Sequence, residues 1–263
     1  MPTFASAMTR KHMLDLVVSE TESVGPRHVL LRLTADSGQL PPMVPGQFVE
    51  VRVDDSPATF LRRPISICNV DETRNELWLL VAAIGEGTRR LARLHTGEHV
   101  NCILPLGHGF GMTPGSLLVG GGVGVAPLLY LGRKLHEAGM SPTFLLGART
   151  AGELLLLSEF ERYGRVLLTT EDGTAGERGF VTGHSILRAE HFAGICCCGP
   201  KPMMMAVARY ARACGTVCEV SLENMMACGL GACLCCVEPT VNGNLCVCTD
   251  GPVFNIDDLQ WQI

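Results

Sequence analysis

Six cysteines crowd one stretch of this chain: Cys228, Cys233, Cys235, Cys236, Cys246 and Cys248. Read as C-x4-C-x2-C with a fourth cysteine after eleven intervening residues, the pattern has the plant-type spacing of a [2Fe–2S] cluster. Four thiolates must converge on two irons, so the loop between the first two ligands has to wrap tightly around inorganic sulfide. Gly229 and Gly231 suit that wrap, because without Cβ they reach positive φ and let backbone N–H groups turn toward sulfur. The ligand set is Cys228, Cys233, Cys236 and Cys248, with Cys246 the alternative for the fourth place. A zinc knuckle would use the Cys233–Cys236 pair but leaves Cys228 and its glycines without a role. A disulfide framework would need an oxidising compartment.

A second chemical stretch is Ser116-Leu117-Leu118-Val119 running into Gly120-Gly121-Gly122-Val123-Gly124-Val125-Ala126-Pro127. Strand, glycine turn and helix is the order in which a helix N-terminus receives phosphate. Gly122, Gly124 and Pro127 depart from G-x-G-x-x-G, and no acidic residue stands at a convincing distance for an adenine ribose. The turn Cys198-Gly199-Pro200-Lys201-Pro202-Met203 closes the same region; Cys198 reads either as a redox-site residue or as a small buried hydrophobe. Glu171-Asp172 follows an apolar strand, where carboxylates would meet a ribose hydroxyl and repel a 2′-phosphate, or simply face solvent in a turn.

A third stretch is Arg62-Arg63-Pro64-Ile65-Ser66-Ile67. An arginine clamps a pyrophosphate through two parallel N–H bonds, and strand alternation puts Pro64 and Ser66 on one face. Further on, Gly85-Glu86-Gly87-Thr88 reads as a glycine turn capped by Thr88 into a short helix, with free N–H groups for an anion. Taken singly, each is more commonly a strand edge or an ordinary cap.

The elements that must position these residues fall into three modules, 10–108, 109–216 and 217–263. The first shows short β runs at Met13–Ser19, His28–Thr34, Gln47–Val53, Ile65–Val70, Leu77–Ala83 and His99–Leu104, which predict an antiparallel barrel or sandwich. In the second, strands at Ser116–Val119, Thr143–Gly147, Arg165–Thr170 and Ile195–Cys198 alternate with helices, which predicts a parallel sheet covered on both faces. The third opens on a strand at Val217–Leu222 and ends in a hairpin turning at Asn242-Gly243; so small a core needs its metal cluster to fold. The fold class is therefore multi-domain α+β.

Bulk properties narrow the field. With 263 residues, 18% of them charged and a net charge of −5, the chain lacks the basic footprint of a nucleic-acid binder. No apolar run is long enough to span a membrane, and the Leu14–Val18 run is too short for a signal peptide. Thirteen cysteines without a secretion signal point to a reducing cytoplasm and cofactor ligation.

The order of arginine–serine strand, Gly-Thr helix start and nucleotide domain resembles the ferredoxin reductase family, in which a barrel binds FAD and an α/β domain binds a nicotinamide nucleotide. That family uses the G-x-G-x-x-P form. The resemblance implies Arg63 at the FAD pyrophosphate, Ser66 at the isoalloxazine, Pro64 and Ile65 beside them in the cofactor site, Gly87 and Thr88 at the phosphates, and backbone from Leu80, Val81 and Ala82. It also implies Cys198 beside the nicotinamide. Met226-Ala227-Cys228-Gly229-x-Gly231-x-Cys233, following Ser221-Leu222-Glu223, and the closing Cys248-Thr249-Asp250-Gly251-Pro252-Val253-Phe254 narrow the match. From about Met13 to Phe254 the chain is similar to the electron-transfer subunits of class B dihydroorotate dehydrogenases. Cys235, where that family commonly has glycine, and the additional Cys246 are departures.

The resemblance implies a relay without a general acid or base of its own. Dihydroorotate would be oxidised on a separate FMN-containing catalytic subunit, two of each chain per assembly. Electrons would pass through [2Fe–2S] and FAD to NAD⁺. Two further readings stay open: the small subunit of an NAD(P)H–ferredoxin or sulfide oxidoreductase, where one ligand is often aspartate, and a zinc-stabilised binding module.

Overall fold

The computed structural model describes residues 10–263. Strands β1 (His12–Gly25), β2 (His28–Ala35), β3 (Phe48–Val51), β4 (Arg63–Asp71), β5 (Glu76–Ala82) and β6 (His99–Leu106) close into a barrel of order β1-β2-β5-β4-β3-β6. All six pairings are antiparallel. Inward positions such as Leu16, Val18, Leu31, Leu33, Val49 and Val51 fill the interior, as strand alternation requires. A short helix, α1 (Glu86–Leu91), follows β5.

Beyond it, β7 (Ser116–Gly121), β8 (Thr143–Ala148), β9 (Arg165–Thr170), β10 (Glu177–Arg178), β11 (Gly194–Cys198), β12 (Val217–Ser221) and β15 (Val253–Asn255) form one sheet. Its order is β10-β9-β8-β7-β11-β12-β15, parallel except for β15. Helices α2 (Ala126–Glu137), α3 (Leu157–Glu161), α4 (Ile186–Ala189) and α5 (Lys201–Cys214) connect the strands. Chain order reverses between β7 and β11, so the crevice at their carboxyl ends is the topological switch point where nucleotides bind in such sheets.

Helix α2 holds the two bodies together. Tyr130, fully buried, packs into the barrel core and donates its hydroxyl proton to the Met43 carbonyl at 3.0 Å. Burying a side chain of that size contributes about 1.5–3 kcal/mol. Arg133 donates to the Val70 carbonyl at 2.7 Å, and Lys134 meets Glu72 at 2.6 Å.

Two local expectations change. The strand expected to open the third module, β12, is hydrogen-bonded into the nucleotide sheet, and the tail returns as its edge strand β15. The segment between them is an excursion from that sheet, and its hairpin pairs β13 (Val237–Thr240) with β14 (Gly243–Cys246). The hairpin turns at Val241-Asn242, one residue earlier than expected, because Thr240 and Gly243 are register partners.

Candidate cofactor sites

The flavin-type motif pieces, distant in sequence, meet in space. The ladder between β4 and β5 runs from Asp71↔Glu76 to Ile67↔Leu79 and does not continue. Arg63–Ser66 pairs instead with β3, and Leu80–Ala82 with β2. Between these segments the strands splay, leaving the backbone edge of Leu80, Val81 and Ala82 unpaired on the β4 side. The Leu80 and Val81 side chains are buried, so only their backbone can serve a ligand. Ile65 packs against the barrel core, whereas Pro64 and Ser66 occupy the opposite strand face.

Arg63 lies across the start of α1, where a Cβ on Gly87 would stand 2.8 Å from its Nε. Thr88 is not the helix cap: Gly85 holds that position, and the Thr88 hydroxyl reaches back to accept the Gly85 N–H at 3.0 Å. Neighbouring Arg62 serves the barrel, donating to the Asn101 carbonyl at 3.0 Å and the Glu50 carbonyl at 3.2 Å. Of the pair, only Arg63 lies against the start of α1.

A cleft of about 670 Å³ separates barrel from sheet. Ala82 and Ile84 form one wall, and Gly122, Glu171, Phe180 and Met203 lie on the other. Gly122 takes φ +56°, and a Cβ there would meet nothing within 4 Å, so bare backbone lines the cleft. Gly124 is the reverse case: its Cβ would collide with the Cys198 carbonyl at 2.6 Å. A single 3₁₀ turn, Gly122–Val125, precedes α2, and Pro127 is buried in the first turn of α2. Glu171, directly after the carboxyl end of β9, lines the cleft, with Arg149 and Glu153 nearby and joined to each other.

Cys198 is fully buried, and desolvation pushes its thiol far above the ordinary range. Sequence reading gave no role to Ser221 or Glu223, yet β11–β12 pairing sets Ser221 opposite Cys198, within hydrogen-bonding reach of its thiol. Glu223 adds its charge to that site, and desolvation raises its own pKa. The signal available in the sequence was the Ser-Leu-Glu triplet, whose register no spacing rule supplies.

The cluster loop has the features a thiolate cage needs. Gly229 and Gly231 take φ +65° and +82°. The Leu230 N–H points at Cys228 Sγ at 3.3 Å, and the Cys248 N–H at Cys236 Sγ at 3.4 Å. The Leu230 bond, with further donors from Cys233 and Ala232, draws the Cys228 thiol down to about 6. Burial and the Cys236 sulfur push Cys248 up to about 12; a coordinating metal reverses such a shift by taking the proton's place.

Among the described residues no three His, Cys, Asp or Glu side chains surround one point as a single-metal site would need. Among the four expected ligands, Cys228 adjoins Cys233 and Cys236 adjoins Cys248. That arrangement fits a binuclear cluster, whose irons take two protein ligands each. Cys246 also adjoins Cys236, but it ends β14 and its N–H is held by Asp250 at 2.7 Å. Cys248 is the more enclosed, buried and within reach of the Gly231 N–H.

Glu50, also unassigned from sequence, is fully buried on β3 with neither carboxylate oxygen hydrogen-bonded. Desolvation pushes it up to about 7 against the pull of Arg62.

Comparison with known proteins places these sites in context. Residues 223–260 match the iron–sulfur cluster binding domain of dihydroorotate dehydrogenase B, and residues 118–209 the oxidoreductase NAD-binding domain. The chain is 41% identical over 225 residues to the dihydroorotate dehydrogenase B (NAD⁺) electron transfer subunit of Shouchella clausii, covering 82% of this chain and 86% of that one. The same-named subunit of Bacillus cereus strain Q1 is 41% identical over 228 residues, with the same coverage. A chain in the structure of NADH-dependent reduced ferredoxin–NADP oxidoreductase superposes with a TM-score of 0.84 at 28% identity, covering 98% of this chain and 92% of that one. Amycolatopsis cytochrome P450 reductase GcoB shares the fold, with a TM-score of 0.68 at 23% identity over 78% of this chain and 67% of its own.

Proposed function

The chain belongs to the family of dihydroorotate dehydrogenase B electron transfer subunits, and we propose from that premise how its residues carry the relay. It is the electron-transfer subunit of an NAD-dependent dihydroorotate dehydrogenase in pyrimidine biosynthesis; it works with FAD, a [2Fe–2S] cluster and NAD, and serves a catalytic partner subunit. When bound, the cluster passes single electrons and FAD exchanges them singly or in pairs, the conversion that a two-electron nicotinamide requires.

The observation that carries the residue assignment is continuity. Pro64 lies where β4 and β5 splay apart, its register partner Glu50 reaches the cluster-loop backbone at Gly229, and Ala82 shares the cleft with Gly122. In this reading Arg63, Gly87 and Thr88 hold the FAD pyrophosphate. Pro64, Ile65 and Ser66, facing the free backbone of Leu80, Val81 and Ala82, hold the ring system. Gly122, Gly124 and Pro127 shape the nicotinamide phosphate site, and Cys198, with Ser221 and Glu223, lines the position where hydride is exchanged. Cys228, Cys233, Cys236 and Cys248 hold the cluster.

The partner is an FMN-containing subunit that oxidises dihydroorotate, two copies of each chain forming the assembly. Exposed Met225, Leu230 and Leu234 around the cluster loop give it an apolar docking surface. The functional modules are 10–108, 109–216 and 217–263, the last two sharing one sheet. The setting is the cytoplasm; no described helix is long and apolar enough to cross a membrane.

The superposition on NADH-dependent reduced ferredoxin–NADP oxidoreductase keeps a ferredoxin-linked reading in view. The higher identity to the dihydroorotate dehydrogenase subunits favours the first reading. The test is anaerobic purification of the tagged chain from its native lysate. A stoichiometric FMN protein that reduces NAD⁺ with dihydroorotate only in the presence of this chain supports the proposal. A different large subunit, or activity with ferredoxin alone, overturns it.

A further inference from the structure

Glu50 is the most unusual buried group outside the motifs. It sits on β3 with no exposed surface, neither oxygen has a hydrogen-bond partner, and among the described residues it forms no ion pair. The two nearest arginines are committed elsewhere: Arg62 to the carbonyls of Glu50 and Asn101, Arg63 to those of Leu61 and Arg62. Leaving a carboxyl group in this condition costs stability, so its retention calls for a use.

Its position indicates one. Glu50 pairs with Pro64 on the strand that lines the flavin slot, and its side chain extends to the cluster loop. A Cβ on Gly229 would stand 2.6 Å from Glu50 Cγ and 3.0 Å from Oε1. The loop backbone at Gly229, itself at φ +65°, is pressed onto this carboxyl group and leaves no room for a side chain after Cys228. The charged or titratable groups that face it are Arg62, Arg63 and Cys228.

We propose that Glu50 is a positioning residue that fixes a buried negative charge between the flavin slot and the cluster loop and so sets the reduction potentials of both. The proposal rests on the cluster and flavin assignments above. Once Glu50 is ionised, as it is at high pH, its negative charge in a medium of low dielectric opposes the arrival of an electron nearby. Removing the charge while keeping the shape therefore makes reduction easier.

The experiment is potentiometric titration of the holo-protein at pH 9, following the cluster by EPR and the flavin by absorbance. Glu50→Gln is expected to raise the cluster midpoint while leaving iron per chain and the EPR line shape at wild-type values. Glu50→Asp, which keeps the charge, is expected to stay near the wild-type midpoint. Unchanged midpoints in a fully loaded Glu50→Gln protein overturn the proposal. If that variant does not retain iron, its flavin midpoint must still rise, and a flavin that titrates as in wild type overturns the proposal equally. A wild-type protein with no [2Fe–2S] signal would instead overturn the cluster assignment beneath it.

Discussion

Gly124 lies flat against the peptide that follows Cys198: a methyl group there would stand 2.6 Å from the Cys198 carbonyl carbon and oxygen. The contact joins the glycine turn after β7 to the C-G-P turn after β11, across the switch point of the sheet. Both turns are backbone, so neither can yield as a flexible side chain would. Gly124→Ala is expected to displace the nicotinamide site and weaken NADH binding at least roughly tenfold, about 1.4 kcal/mol, with FAD content unchanged. Fluorescence titration with NADH checks this, alongside a flavin-to-protein ratio.

Adjacent arginines are expected to behave differently. Arg63→Ala removes the guanidinium that lies over Gly87 and should yield folded protein depleted of FAD. Arg62→Ala removes hydrogen bonds inside the barrel, and should retain flavin while losing about 1–3 kcal/mol of stability. Flavin content and thermal unfolding, measured on both variants, separate the two roles.

The fourth cluster ligand is open to direct substitution. Cys248→Ser is expected to abolish the visible bands of the cluster, whereas Cys246→Ser should keep them. The enclosure of Cys248 beside Cys236 and Gly231 is the reason. Iron analysis and absorbance on the two purified variants decide it, and retention of the cluster by both would refute the ligand set.

Nucleotide choice is expected to depend on Glu171. Its carboxylate at the cleft wall favours a free ribose hydroxyl and repels a 2′-phosphate. Glu171→Arg should lower the NADH-to-NADPH ratio of kcat/KM by about tenfold or more. Steady-state diaphorase kinetics with both nucleotides provide the check.

Much of this architecture was legible in the residues. Short β-type runs separated by Pro, Gly and Asp turn residues located all six barrel strands, because such residues break the chain between strands. The glycine turns were legible because close backbone approach leaves little choice of residue type. Long-range register was not legible. Ser221 meets Cys198 only because β11 and β12 pair in parallel at that offset, and Glu50 meets Gly229 only once the barrel is packed against the tail. That β12, expected to open the third module, pairs within the nucleotide sheet was not legible for the same reason. Its run marks a strand, but the partner that completes its pairing, β15, comes after the whole cluster loop. Thr88 also misled: threonine before a helix suggests a cap, yet here it sits one turn inside and caps in reverse.

The central claim is that one chain connects nicotinamide to an iron–sulfur centre through a flavin. Its most direct test is anaerobic addition of NADH to the purified holo-chain without its partner, followed by absorbance and EPR. The account predicts bleaching of the flavin band together with the EPR signal of a reduced [2Fe–2S] cluster. It also predicts that Arg63→Ala protein depleted of FAD keeps its cluster but does not reduce it with NADH. A colourless folded protein, or a cluster that NADH reduces equally well without flavin, would contradict it.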